Sequence, residues 1–72
     1  MDLEIYDKLA KYFCNIKIEV EYVKIRQYKI SLQIETMETS FIYQYDARLT
    51  FDANIDIIKK EIEKWILKYY QR

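Results

Sequence analysis

A chain of 72 residues has room for one domain, residues 1–72, built around one hydrophobic core, so any function must sit on the outside of that core. With 51% hydrophobic and 33% charged residues it reads as a folded globule, and 12 basic against 12 acidic side chains argue against both a strongly basic nucleic-acid binder and a strongly acidic DNA mimic. Histidine, glycine and proline are absent and Cys14 is the lone cysteine, which excludes an intrachain disulfide, a Cys/His metal site, a histidine-based hydrolytic triad and a glycine-rich phosphate loop.

The first predicted element is a helix from Asp2 to Phe13, with Leu3, Tyr6, Leu9, Ala10 and Phe13 on one face and Asp2 as its N-cap. After Asn15 the period switches to two. Ile16, Ile18, Val20 and Tyr22 alternate with Lys17, Glu19 and Glu21 in a first strand. Tyr28, Ile30, Leu32 and Ile34 form a second strand, and the alternation from Phe41 through Tyr43, Tyr45, Ala47 and Leu49 to Phe51 forms a third. Short connections between them predict an antiparallel meander with the second strand in the middle.

Residues opposed across a sheet share a face, which sets the expected register. Tyr22 pairs with Tyr28, Val20 with Ile30 and Ile18 with Leu32. On the other side Ile34 pairs with Phe41, Leu32 with Tyr43 and Ile30 with Tyr45. The turns are placed in Val23 to Gln27 and in Thr36 to Ser40. A second, longer helix runs from about Ala53 to Tyr70, with Ile55, Ile58, Ile62, Trp65, Ile66 and Tyr69 on its apolar face, capped by Asp52 or Asn54 and balanced at its end by Lys68 and Arg72. The predicted fold is α+β, in the order α-β-β-β-α, with both helices packed on one face of a three-stranded meander.

Against that frame the chain carries no predicted catalytic residue, metal ligand or cofactor, and it reads as a non-enzyme. Glu19 and Glu21 share a strand face, but a solvated one that leaves both as ordinary carboxylates. Cys14, at the junction of helix and strand, reads as a small buried hydrophobe. Two surface features remain. Lys59, Lys60, Lys64, Lys68 and Arg72 line one flank of the second helix and, with the tip residues Lys24, Arg26 and Lys29, form a candidate anion-binding stripe. An apolar surplus, Ile5, Tyr12, Val23, Ile25, Ile42, Ile57, Leu67 and Tyr70, finds no place in the expected core. Together with eight tyrosines it points to a protein partner or a homodimer, with Tyr12, Val23, Ile25, Ile42, Leu67 and Tyr70 as the candidate contacts.

The order α-β-β-β-α and the length resemble the double-stranded-RNA-binding domain. That resemblance implies RNA contacts from a loop between the first two strands and from a lysine cluster opening the second helix, to which Lys59, Lys60 and Lys64 are similar. The turn Val23-Lys24-Ile25-Arg26-Gln27 has none of that family's Gly-Pro and histidine residues. Small size, richness in Ile, Lys and Tyr, and the missing glycine and proline also resemble the small inhibitors encoded by bacteriophages and mobile elements, anti-CRISPR proteins among them. This second resemblance implies stoichiometric occlusion of a host or defence protein, in which the acidic residues Glu19, Glu21, Glu35 and Asp46 imitate phosphate or the Tyr/Ile surplus fills a pocket. The expectation is therefore a protein-binding module, with nucleic-acid binding as the alternative. No apolar run is long enough to span a bilayer and the first residues lack a basic n-region, so the predicted location is the cytoplasm, that of the host if the chain is phage-encoded.

Overall fold

A computed structural model describes residues 3–71 and has the expected order: α1 (Leu3–Ala10), β1 (Lys17–Lys24), β2 (Gln27–Ile34), β3 (Met37–Gln44) and α2 (Phe51–Tyr70). The strands form one antiparallel sheet in the order β1-β2-β3. Its inner face supplies Ile18, Val20, Ile30, Leu32 and Tyr43 to a single buried cluster, which Ile5 and Leu9 of α1 and Ile55, Ile58 and Ile62 of α2 complete. Both helices therefore cover the same face of the sheet, as the two-layer reading requires. None of the described helices is long and apolar enough to cross a membrane.

The first hairpin has the expected register, with Tyr22 opposite Tyr28, Val20 opposite Ile30 and Ile18 opposite Leu32. The second does not. Its turn is the two-residue pair Glu35-Thr36, so Ile34 meets Met37, Leu32 meets Thr39, Ile30 meets Phe41 and Tyr28 meets Tyr43. The displacement is an even number of residues, so every inward side chain stays inward. β3 stops at Gln44, and the alternation from Tyr45 to Leu49 belongs to a loop.

α2 starts earlier than expected, and its N-cap is Thr50 in place of Asp52 or Asn54. Thr50 has extended dihedrals, and its Oγ1 accepts from the Ala53 N–H at 3.1 Å. α1 is shorter than expected and its face is turned. Ile5, assigned to the surplus, is 2% exposed in the core, while Leu3, assigned to the face, lies exposed. The proposed Asp2 cap and the Arg72 end of the basic stripe lie outside the described residues.

Two turn residues take the left-handed conformation without being glycine: Arg26 with φ 58° and Glu35 with φ 53°. Each costs about 1 kcal/mol in backbone strain, which a chain lacking glycine accepts in order to turn tightly. Glu35 is additionally tied down, since its carbonyl accepts from Gln33 Nε2 at 3.1 Å and its carboxylate from the Tyr69 hydroxyl at 3.2 Å.

Candidate functional site

The part of the molecule that positions its surface is a buried polar joint. Asn54, on the first turn of α2, is fully buried, and its Oδ1 accepts from the Tyr43 hydroxyl at 2.5 Å and from the Asp46 N–H at 2.9 Å. Its Nδ2 donates to the carbonyls of Asp46 at 3.0 Å and of Thr50 at 2.9 Å. One side chain thus satisfies a strand, a loop and a helix start together. Among the described residues no buried side-chain polar atom lacks a partner. Burial raises the Tyr43 pKa above the usual tyrosine value, helped by the nearby Asp46 charge, and the phenol stays a neutral donor to Asn54. Periodicity placed Asn54 only as a possible cap; its four-residue spacing from Ile58 and Ile62, which sets an amide on the apolar stripe, was the signal for its actual role.

Chain direction then sorts the surface into two ends. β3 runs from the Glu35-Thr36 turn to Gln44 beside Gln27, and α2 returns to the starting end, where Tyr69 meets Glu35. The hairpin tip at Ile25-Arg26 therefore lies at the far end of the sheet from the C-terminus of α2, roughly 25 Å away for eight residues of strand.

At the tip end, Tyr22, Val23 and Ile25 are 63%, 48% and 74% exposed, and Ile42, on the outer face of the adjoining sheet, is 56% exposed. Behind them the rings of Tyr22, Tyr28 and Tyr45 form an edge-to-face row with centroids 6.1 and 6.4 Å apart. Tyr22 was read as a core residue. Its inward parity is correct, but the strand has run past the cover of the helices. Leu67 and Tyr70 are exposed at the opposite end, near an aromatic run in which Tyr69 packs on both Trp65 and Tyr70. Tyr12 is exposed after α1, with the Lys59 Nζ 4.4 Å from its ring centroid. The structure thus brings Val23, Ile25 and Ile42 to one end and separates them from Leu67, Tyr70 and Tyr12.

The candidate anion site is dispersed in the same way. Lys60 pairs with Asp56 at 3.3 Å, Lys64 pairs with Glu61 at 3.1 Å, and Lys59 leans on Tyr12. Lys24 and Arg26 sit on the tip, away from Lys64 and Lys68, and Lys29 is on the outer sheet face beside Glu21. The proposed acidic face is likewise divided. Glu19 and Glu21 share the outer face of the sheet, Glu35 is in the second turn, and Asp46 is in the loop after β3. The Asp46 carboxylate accepts from Arg48 N, Nε and Nη2 at 2.9 to 3.1 Å, which holds its pKa below the usual carboxylate value and raises that of Arg48. The outer face forms a shallow open trough in which Lys17 and Lys29 stand among Glu19, Glu21 and Glu38. Cys14 is exposed. Among the described residues no group of three or more His, Cys, Asp or Glu side chains is placed to hold a metal ion.

No family model, no curated protein and no solved structure matches this chain.

Proposed function

We propose that this chain is a small non-enzymatic protein-binding module of the kind encoded by phages and mobile elements, which occludes the surface of a host or defence protein stoichiometrically. The observation that carries this reading is the β1–β2 hairpin tip, where Tyr22, Val23 and Ile25 are all exposed within four residues. Three large exposed side chains within four consecutive residues, the first of them held edge-to-face against Tyr28, offer an apolar tip that suits a hydrophobic pocket.

The alternative, a nucleic-acid-binding module, rests on Lys24, Arg26 and Lys68, with Lys60 and Lys64 engaged by acidic neighbours on their own helix. Quantitative affinity capture with the wild type and with Ile25→Asp tests the leading reading. It requires a partner retained in a fixed ratio by the wild type and lost from the variant. Equal capture by both would overturn the role of the tip, and binding of short duplex RNA or DNA that weakens steeply with salt would replace the reading with the alternative.

A further inference from the structure

We propose that β3 is a pairing edge for a second copy of this chain, which adds its own β3 antiparallel across a two-fold axis at Phe41 to make one continuous six-stranded sheet. The exposed side chains Tyr22, Val23 and Ile25 of the hairpin tip play no part in it.

The first observation is an open ladder. The Tyr45 N–H donates to the Arg26 carbonyl at 2.7 Å, extending a ladder in which the odd-numbered residues of β3 face β2. Glu38, Ser40, Ile42 and Gln44 therefore turn their N–H and C=O groups away from the sheet. No turn, loop or side-chain hydrogen bond among the described residues takes them up.

The second observation is that this edge has none of the usual guards. Natural edge strands are blunted by lysine, proline, bulges or shortness. β3 has eight residues, an unbroken register, no lysine or proline, and Glu38 as its one charge.

The third observation selects the occupant. Opposed residues must share a face, so only registers that match even with even and odd with odd residues keep the sheet continuous. Among these, centring on Phe41 overlaps residues 38–44 and puts all four outward-turned residues into bonded pairs: Ser40 with Ile42 of the second copy, Glu38 with Gln44, and the two reciprocals. Four pairs of two bonds each give about eight hydrogen bonds. The strand's only charge meets an amide, and half-buried Phe41 packs on its own copy on the helix-covered face. The same operation on β1 fails. Centred on Val20 it sets Glu19 against Glu21 twice, and centred on Glu19 or Glu21 it sets a carboxylate against itself.

Sedimentation velocity across a roughly hundredfold concentration range tests the proposal. The wild type is expected to double its mass as concentration rises. Ser40→Pro removes an N–H that the monomer does not use, so it should stay monomeric with an unchanged far-ultraviolet spectrum. Ser40→Lys with Ile42→Lys, which opposes lysines across the axis, should weaken the dimer at least about tenfold and provides the answer should the proline variant not fold. A wild type that is monomeric throughout, or variants that dimerise like the wild type, would overturn it. Ile25→Asp leaves β3 intact and should dimerise normally, so loss of the apolar tip and loss of the edge are read separately.

Discussion

β1 and β3 are both eight-residue edge strands of one sheet, yet they present different chemistry to a neighbouring chain. β1 carries Lys17, Glu19, Glu21 and Lys24, and its register slips between Tyr22 and Lys24. β3 carries Glu38 alone and keeps its register throughout. The contrast teaches that protection against pairing resides in the outward-facing side chains, which the core does not constrain. The inward residues are apolar on β1 and, apart from Thr39, on β3 as well, whereas the outward ones set how well each edge is guarded.

The largest effect that would break the comparison comes from the joint holding β3 to α2. Asn54→Ala leaves the buried Tyr43 hydroxyl and the partly buried Asp46 N–H without acceptors, and should lower stability by about 3 kcal/mol in chemical denaturation. Tyr43→Phe removes one partner and leaves the amide otherwise satisfied, so its cost should be about 1 kcal/mol. Arg26→Gly relieves the left-handed strain at the tip of the guarded hairpin, with a gain of about 1 kcal/mol and no change in association expected. Removing the guards should sharpen the contrast. Glu19→Thr with Glu21→Thr gives β1 the polarity of β3, and each relieved carboxylate pair is worth about 0.5 kcal/mol, visible in sedimentation as species beyond the dimer.

The smallest effect is on pH. The raised Tyr43 pKa means its contribution is complete below the ordinary tyrosine value near 10 and is lost as pH climbs through the folded value. The lowered Asp46 pKa means its contribution is present above the ordinary carboxylate value and is lost as pH falls through the folded one. Thermal melts should show a shallow decline at each extreme, and Tyr43→Phe should abolish the alkaline one alone.

Much of this architecture was legible because period-two and period-3.6 patterns report burial directly. The first hairpin register followed from Ile18, Val20 and Tyr22 facing Leu32, Ile30 and Tyr28. The second was misplaced because Tyr45, Ala47, Leu49 and Phe51 continue the alternation through a loop, and because Glu35-Thr36 turns without glycine, asparagine or proline. α1 was rotated in the reading because the i,i+4 pair Ile5 and Leu9 competes with a broader face through Leu3 and Tyr6, and only the packing on β1 and α2 decides between them. Of the candidate contacts, exposure was legible and proximity was not. Val23, Ile25 and Ile42 come to the same end of the sheet only through the strand order, and Tyr22 is exposed at that end with them.

Amide hydrogen exchange followed by NMR at low and high protein concentration tests the difference between the two edges most directly. The account predicts that the amides of Glu38, Ser40, Ile42 and Gln44 become more protected as concentration rises, while those of Ile18, Val20 and Tyr22 do not change. Protection gained along β1, or along neither strand, would contradict it.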